Sequence, residues 1–347
     1  MDETASGVVD ETTRERVVDG GKARYDAVVV GAGVAGLSSA LVLGRSRRRV
    51  LILDGGKPRN APSSGAHGFF TRDGTPPEEL LRIGREQLAP YENVEYRRAK
   101  AMKAGGTNGA FEVALEDGTT VSARRILLAT GVADELPDRP GFSELWGRGV
   151  YHCPYCHGWE VRDRPLAVLN SGEGAADRAL FIRNWSRDLV LLTDGPARLD
   201  EEDRQRLDAL GVPVREERIS SLEGDFGREP GAAGGGLERV VFEDGSTLAR
   251  EGLFYVPSQS QRSALAEDLG CELERRAHAF VVTIDPATRE TTVPGVYAVG
   301  DAVGTGPLQS VALAAASGAA AAYFVNHALA TEDVEAELAA LARGGRR

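Results

Sequence analysis

The run Gly31-Ala32-Gly33-Val34-Ala35-Gly36 constrains this chain more than any other feature, because of what surrounds it. An apolar stretch (26–30) precedes it and a helical pattern (37–43) follows. A second apolar stretch, Val50 to Leu53, then closes on Asp54, 23 residues after Gly31. Glycines at this spacing allow a tight turn, close approach of backbone to a pyrophosphate, and close packing of helix on strand. The helix start offers free N–H groups and the positive end of its dipole. Asp54 stands where a carboxylate accepts hydrogen bonds from a ribose. In isolation the glycines would mark only a turn; in this setting they predict a βαβ unit that binds a dinucleotide through Gly31, Gly33, Gly36 and Asp54.

The phrase is then repeated. Leu166 to Leu169 reads as a strand, Ser171 to Gly174 as a turn, Ala175 to Asn184 as a helix and Leu189 to Leu192 as a strand. Each unit is followed by a strand, turn, strand phrase: Glu116 to Thr120 ahead of Ile126 to Gly131, and Glu243 to Thr247 ahead of Leu253 to Pro257. Such internal similarity predicts an α/β chain with two Rossmann-like folds. The sequence closes with strand-like segments at Phe280 to Ile284 and Val296 to Val299, then a long Ala-rich helix from about Gln309 to Ala328, which must rejoin one of the two.

Composition narrows the partners. The 347 residues are 42% hydrophobic and 27% charged, as in globular proteins, and the length suggests two domains. A net charge of -11 repels a phosphate backbone, and no basic stripe extends beyond Arg45 to Arg49, so nucleic acid is excluded as a partner. No run of about 18 consecutive apolar residues is present and the acidic first twenty residues are unlike a signal peptide, so a cytoplasmic protein without membrane contact is expected. Residues 1–24 hold six acids, four bases and no periodicity and are expected to be a disordered tail; Gly227 to Gly236 is expected to be a mobile loop.

Three cysteines are too few for a disulfide framework, so Cys153-Pro154-Tyr155-Cys156-His157 calls for a chemical account. The spacing permits a reducible disulfide, and an adjacent imidazole can lower a thiol's pKa or take its proton. Attachment of haem would require export, and Met102 is the only internal methionine for a thioether ligand. A zinc site would need ligands beyond His152 and His157, and simple burial of both thiols would require nothing of the histidines. Redox chemistry accounts for the pattern best, and no metal is expected. Cys271 reads as a packed structural thiol; His67 carries no specific signal. Gly300-Asp301 ends a short strand ahead of the last helix, where a carboxylate can reach a cofactor hydroxyl.

Taken together, the glycine turn, Ala129-Thr130-Gly131, the Cys153–Cys156 pair just before the second fold and Gly300-Asp301 resemble the low-molecular-weight thioredoxin reductase family, in the same order and over nearly all of the chain after the tail. The resemblance implies FAD as cofactor, a homodimer, and a nucleotide-type domain (143–257) inserted into a discontinuous FAD domain (25–142 plus 258–347). It places Thr130, Gly131, Gly300 and Asp301 at the cofactor, with Asp301 on the ribityl chain and Gln309 by the flavin. It also implies that Cys156 faces the flavin while Cys153 exchanges with substrate. The family usually carries an aspartate after the pair; here His157 stands there, and an ordinary imidazole pKa near 6.5 suits a general base toward incoming thiols.

Two departures steer the functional expectation. Asn170, Gly172 and Ala175 replace the second glycine motif, and Thr193-Asp194-Gly195 stands where the reductases hold basic residues for the NADPH 2'-phosphate. NADPH is disfavoured, whereas Asp194 could serve the ribose of NADH. This pattern is similar to the flavin dithiol oxidases of natural-product pathways, of the gliotoxin and holomycin type. It implies oxidation of a small-molecule dithiol with oxygen as acceptor. The alternatives are a reductase passing electrons from NADH or another donor to a thioredoxin-like protein, and a non-enzymatic flavin redox sensor.

Overall fold

A computed structural model describes residues 24–227, 236–276, 278–304 and 309–344. The expected tail, apart from Arg24, and nearly all of the expected Gly-rich loop lie outside the described residues. The first unit is β1 (Arg24–Val30), α1 (Val34–Arg45), β2 (Val50–Leu53), α2 (Pro77–Glu86), β3 (Val94–Arg97), β4 (Ala101–Thr107), β5 (Ala110–Leu115) and β6 (Thr120–Leu128). After β7 (Val132–Glu135) come β8 (Val150–Tyr151), α3 (Pro154–His157), β9 (Leu166–Leu169), α4 (Ala175–Ile182), β10 (Leu189–Leu192), α5 (Glu201–Ala209) and β11 (Val214–Arg215). The chain continues with β12 (Ile219–Gly224), β13 (Leu237–Phe242), β14 (Thr247–Ala249), β15 (Gly252–Tyr255) and β16 (Ser258–Gln261). Last are α6 (Leu265–Asp268), β17 (Leu273–Arg276), β18 (Ala279–Val282), β19 (Val296–Ala298) and α7 (Val311–Gly344).

Among the described residues these strands form two parallel-cored sheets and two smaller ones. The first runs β3-β2-β1-β6-β5-β4, with β19 parallel to β6. Strand β1 is buried on both faces: Ala27 and Val29 meet α1 and α7, while Val28 and Val30 meet the core on the other side. A parallel strand covered on both faces reads as an unbroken apolar run, which is why Ala27 to Val30 shows no alternation. The second sheet, β11-β10-β9-β15-β8, repeats this arrangement around Val168 and Leu191. A three-stranded sheet, β12-β13-β14, flanks it. The molecule thus has two Rossmann-like folds, the second between β7 and β16 of the first. Those two crossing strands pair antiparallel, Asp134 opposite Gln259, and join β17 and β18 in a four-stranded sheet.

Helix α7 is longer than expected. It begins at Val311 and runs to Gly344, well beyond Ala328, because Glu332 and Asp333 are held by Arg48, Arg124 and Arg125 from the sheet side. Its span Val311–Arg343 is also long and apolar enough to cross a membrane by composition, with a mean hydropathy of 1.2. In the fold its small side chains pack onto α1. A Cβ on Gly318 would lie 2.1 Å from the Ala35 carbonyl oxygen, and Ser39 Oγ donates to the Gly318 carbonyl at 3.0 Å. This close packing sets the start of α7 beside the glycine turn.

Candidate active site

One cavity of about 490 Å³ runs from the glycine turn to the cysteine pair. Gly31, Gly33, Asp54, Thr130, Gly131, Gly300, Asp301, Gln309, Cys153, Cys156 and His157 all line it. Gly36 alone of the expected set does not, and its role is packing: a Cβ there would stand 1.8 Å from the Gly31 carbonyl oxygen. Gly31 has φ +108° and its Cβ would meet Ala129 O at 2.3 Å, whereas the space above Gly33 is open. Helix α1 has no side-chain cap and no acid in its first turn, so its N–H groups are left for an anion from outside the helix. These features fit the pyrophosphate of FAD. Asp54, at the end of β2, accepts from Gly56 N at 3.0 Å and from the Tyr96 hydroxyl.

Sequence reasoning missed the residue at the centre of the cavity. Arg59, on the loop after β2, makes a bidentate pair with Asp134 (both bonds 2.7 Å). It also donates to Asp301 at 3.0 Å and to Gln309 Oε1 at 2.6 Å. Burial alone would lower the guanidinium's pKa, but the two carboxylates hold it above its ordinary value. Gln259 completes the network by exchanging amide hydrogen bonds with Gln309 at 2.9 and 3.0 Å. Asp301 and Gln309 are therefore fixed by long-range partners.

The cysteine pair sits on a single helical turn. Strand β8 delivers Cys153 as the N-cap of α3, and Pro154 presets the first helical φ. The amides of Cys156 and His157 both donate to the Cys153 carbonyl at 3.2 Å. Three residues apart on a helical turn, the two thiols face the same side, and both are free. Cys153 is lowered to about 7, mainly by the hydrogen bond from the Cys156 thiol, helped by the Cys156 and Tyr155 amides and by Arg178. Cys156 is raised by its side-chain hydrogen bond with Cys153, by burial and by the charge on Cys153. Beyond Cys153, Arg59 and Asp301 are the charges that act on Cys156, so this thiol lies on the glycine-turn side, whereas Cys153 lies toward α4 of the second fold.

His157 departs from the expectation of an ordinary imidazole. Burial, with His67 nearby, lowers its pKa to about 4, and its ring stacks on Tyr151 at 4.8 Å. Neither nitrogen bonds a thiol: Nε2 lies 3.0 Å from Ser63 Oγ and Nδ1 is buried with no partner. Ser63 Oγ also lies 2.8 Å from Gly65 O, to which it donates. The loop after β2 lines the cavity with Ser63, Gly65, Ala66 and His67, whereas Phe70 is 91% exposed. His67 lies between Asp73 (3.7 Å) and Glu160 (3.5 Å), a setting no local sequence signal marks. Cys271 is buried against Thr291 Oγ1 at 3.4 Å, a packed thiol as expected.

The second fold lacks the equipment of the first. Asn170, in the place of Gly31, does not adopt a positive φ and turns its side chain to Ser171 N, whereas the space around Gly172 is open like that above Gly33. Asp194, expected to be available to a ribose, is tied into the protein by one oxygen: its Oδ1 accepts from Arg139 and from the Ile219 amide, both at 2.8 Å.

The family model described as pyridine nucleotide-disulphide oxidoreductase matches residues 25–319. The thioredoxin reductase sirT of Leptosphaeria maculans is 33% identical over 315 residues, 87% of this chain and 93% of that protein. Among solved structures, HlmI is 42% identical with a TM-score of 0.81, covering 92% of this chain and 96% of its own. An oxidoreductase from Agrobacterium tumefaciens is 34% identical with a TM-score of 0.81, covering 89% and 99%. A cysteine pair at the end of a cradle shaped for FAD, in a chain matched over most of its length, leaves no doubt of kinship: this chain belongs to the pyridine nucleotide-disulphide oxidoreductase family and is an FAD-dependent disulfide oxidoreductase.

Proposed function

We propose that this enzyme oxidises a small-molecule dithiol to its disulfide, with the Cys153–Cys156 disulfide as immediate oxidant and dioxygen as final acceptor. The observation that carries this reading is the second fold's departure from the first: Asn170 stands in place of the leading glycine without a positive φ, and Asp194 Oδ1 is engaged by Arg139 and the Ile219 amide. The depressed pKa of Cys153 supports the direction, because a stabilised reduced form makes a disulfide a stronger oxidant.

A substrate thiolate attacks Cys153 Sγ, the Cys153–Cys156 bond breaks, and Cys156 leaves with the electron pair and takes up a proton. The substrate's second thiol loses its proton to solvent and attacks, as thiolate, the substrate sulfur of the mixed disulfide. The substrate disulfide closes and Cys153 departs as thiolate, with two electrons transferred to the pair. Low leaving-group pKa speeds that last step. Gly31, Gly33, Asp54, Thr130, Gly131, Gly300, Asp301 and Gln309 would hold FAD, with 25–142 and 258–347 as its domain and 143–257 carrying the pair. When bound, FAD supplies the two-electron acceptor that restores the disulfide and the route to dioxygen. We take the enzyme to be a cytoplasmic homodimer; exposed apolar side chains on α7, Leu338 and Leu341 among them, suit a subunit contact.

Several relatives, sirT included, are thioredoxin reductases, which favours a second reading in which electrons pass from NADH or another donor to a thioredoxin-like protein. Turnover in air separates the two. With dithiothreitol as probe, peroxide and disulfide are expected in equal amounts without any nicotinamide; no oxygen uptake with dithiol, alongside NADH consumption with thioredoxin, would establish the second reading.

A further inference from the structure

Arg178 is a half-buried cation without an anion. It lies on α4, and its one hydrogen bond is to the His152 carbonyl, at 2.9 Å, immediately before Cys153. Among the described residues no carboxylate pairs with it. Asp177, its neighbour in sequence, faces away and binds Arg206 on α5 at 2.7 Å. Burying an unpaired guanidinium is unfavourable, so a partner that becomes negative during the reaction recovers that cost. The one titratable group whose charge favours the protonated Arg178 is Cys153, and the interaction lowers the thiol in turn.

We propose that Arg178 is the counter-charge of the Cys153 thiolate, a positioning residue by which α4 of the second fold serves the redox pair. This rests on the reading of Cys153 as the thiol that exchanges with substrate. The other groups around the pair do not replace it. Cys156 keeps its proton, and His152 is lowered to about 4 by burial and by Arg59, so it is neutral at pH 7. His278 acts on His152, while Arg59, Asp134 and Asp301 pair with one another on the glycine-turn side. By stabilising the thiolate, Arg178 makes the disulfide more oxidising and Cys153 a better leaving group.

The test is the pH dependence of iodoacetamide alkylation at Cys153, followed by peptide mass spectrometry on the reduced holoenzyme without oxygen. The wild-type midpoint is expected near 7. In Arg178→Gln and in Arg178→Met, which keeps the packing of the stem, it should rise by roughly one unit, the scale of a single nearby opposite charge. Alkylation about one unit below the wild-type midpoint then slows roughly tenfold. Arg178→Lys should stay near wild type. Equilibration with glutathione should show the Cys153–Cys156 disulfide less oxidising by up to about tenfold in the equilibrium constant, or about 30 mV. An unchanged midpoint in both uncharged variants, judged folded by the visible absorption of bound FAD, overturns the proposal even if KM rises. Absence of dithiol turnover in wild type would instead refute the oxidase reading and leave the alkylation result standing.

Discussion

Cys156→Ser leaves FAD bound and lowers dithiol turnover on the order of 10³-fold or more, the scale seen when one member of a catalytic unit is removed. The variant cannot form the Cys153–Cys156 disulfide, so an incoming thiolate finds no sulfur bond to break. Cofactor retention follows from the architecture. The cradle is built by α1, the loops after β2 and β6, and the start of α7, none of which needs the Cys156 sulfur. The variant should therefore emerge yellow and inert in an oxygen-uptake assay. Turnover retained near the wild-type rate would mean that dithiols deliver electrons without the pair, and the relay would be wrong.

Arg59→Ala destabilises the fold by about 3–5 kcal/mol, because removing one partner of a buried pair strands the other. Asp134 has a side chain only 6% exposed and loses both guanidinium bonds, while Asp301 and Gln309 lose the donor that fixes them. Urea unfolding should show the loss, and gel filtration should strip FAD that wild type retains. The physical cause is checked by Arg59→Ala/Asp134→Asn, which replaces the stranded charge with a neutral amide and should recover part of the stability. If the single variant is as stable as wild type, the network does not hold the site together.

The parts legible in the sequence are those set by short-range pattern. Strands β9 and β10 were readable to the residue because each is a buried apolar run between polar neighbours. The hairpin turns at Gly118 and Gly245 were readable because both require positive φ, +83° and +82°. What was illegible depends on distant partners. Strand β16, Ser258–Gln261, has no apolar signature and forms by pairing with β7 across the inserted fold. Helix α7 continues past Ala328 through Glu332 and Asp333, which are held by arginines from β6 and from the loop after α1. The positions of most candidate site residues could be anticipated from glycine spacing and the cysteine pair, but their electrostatics could not. His157 loses basicity through burial, and Asp194 is claimed by Arg139, 55 residues away. Arg59 and Arg178 matter because of what they lie beside, which no local motif records.

In the proposed mechanism electrons enter this flavoprotein from dithiols through Cys153 and Cys156, and not from nicotinamide through the second fold. The direct test is visible absorption of the purified holoenzyme, without oxygen, as NADPH, NADH and dithiothreitol are added separately. Dithiothreitol alone is expected to bleach the flavin, and air to restore the colour with formation of peroxide. Rapid bleaching by NADH or NADPH would contradict that mechanism and place the enzyme with the reductases.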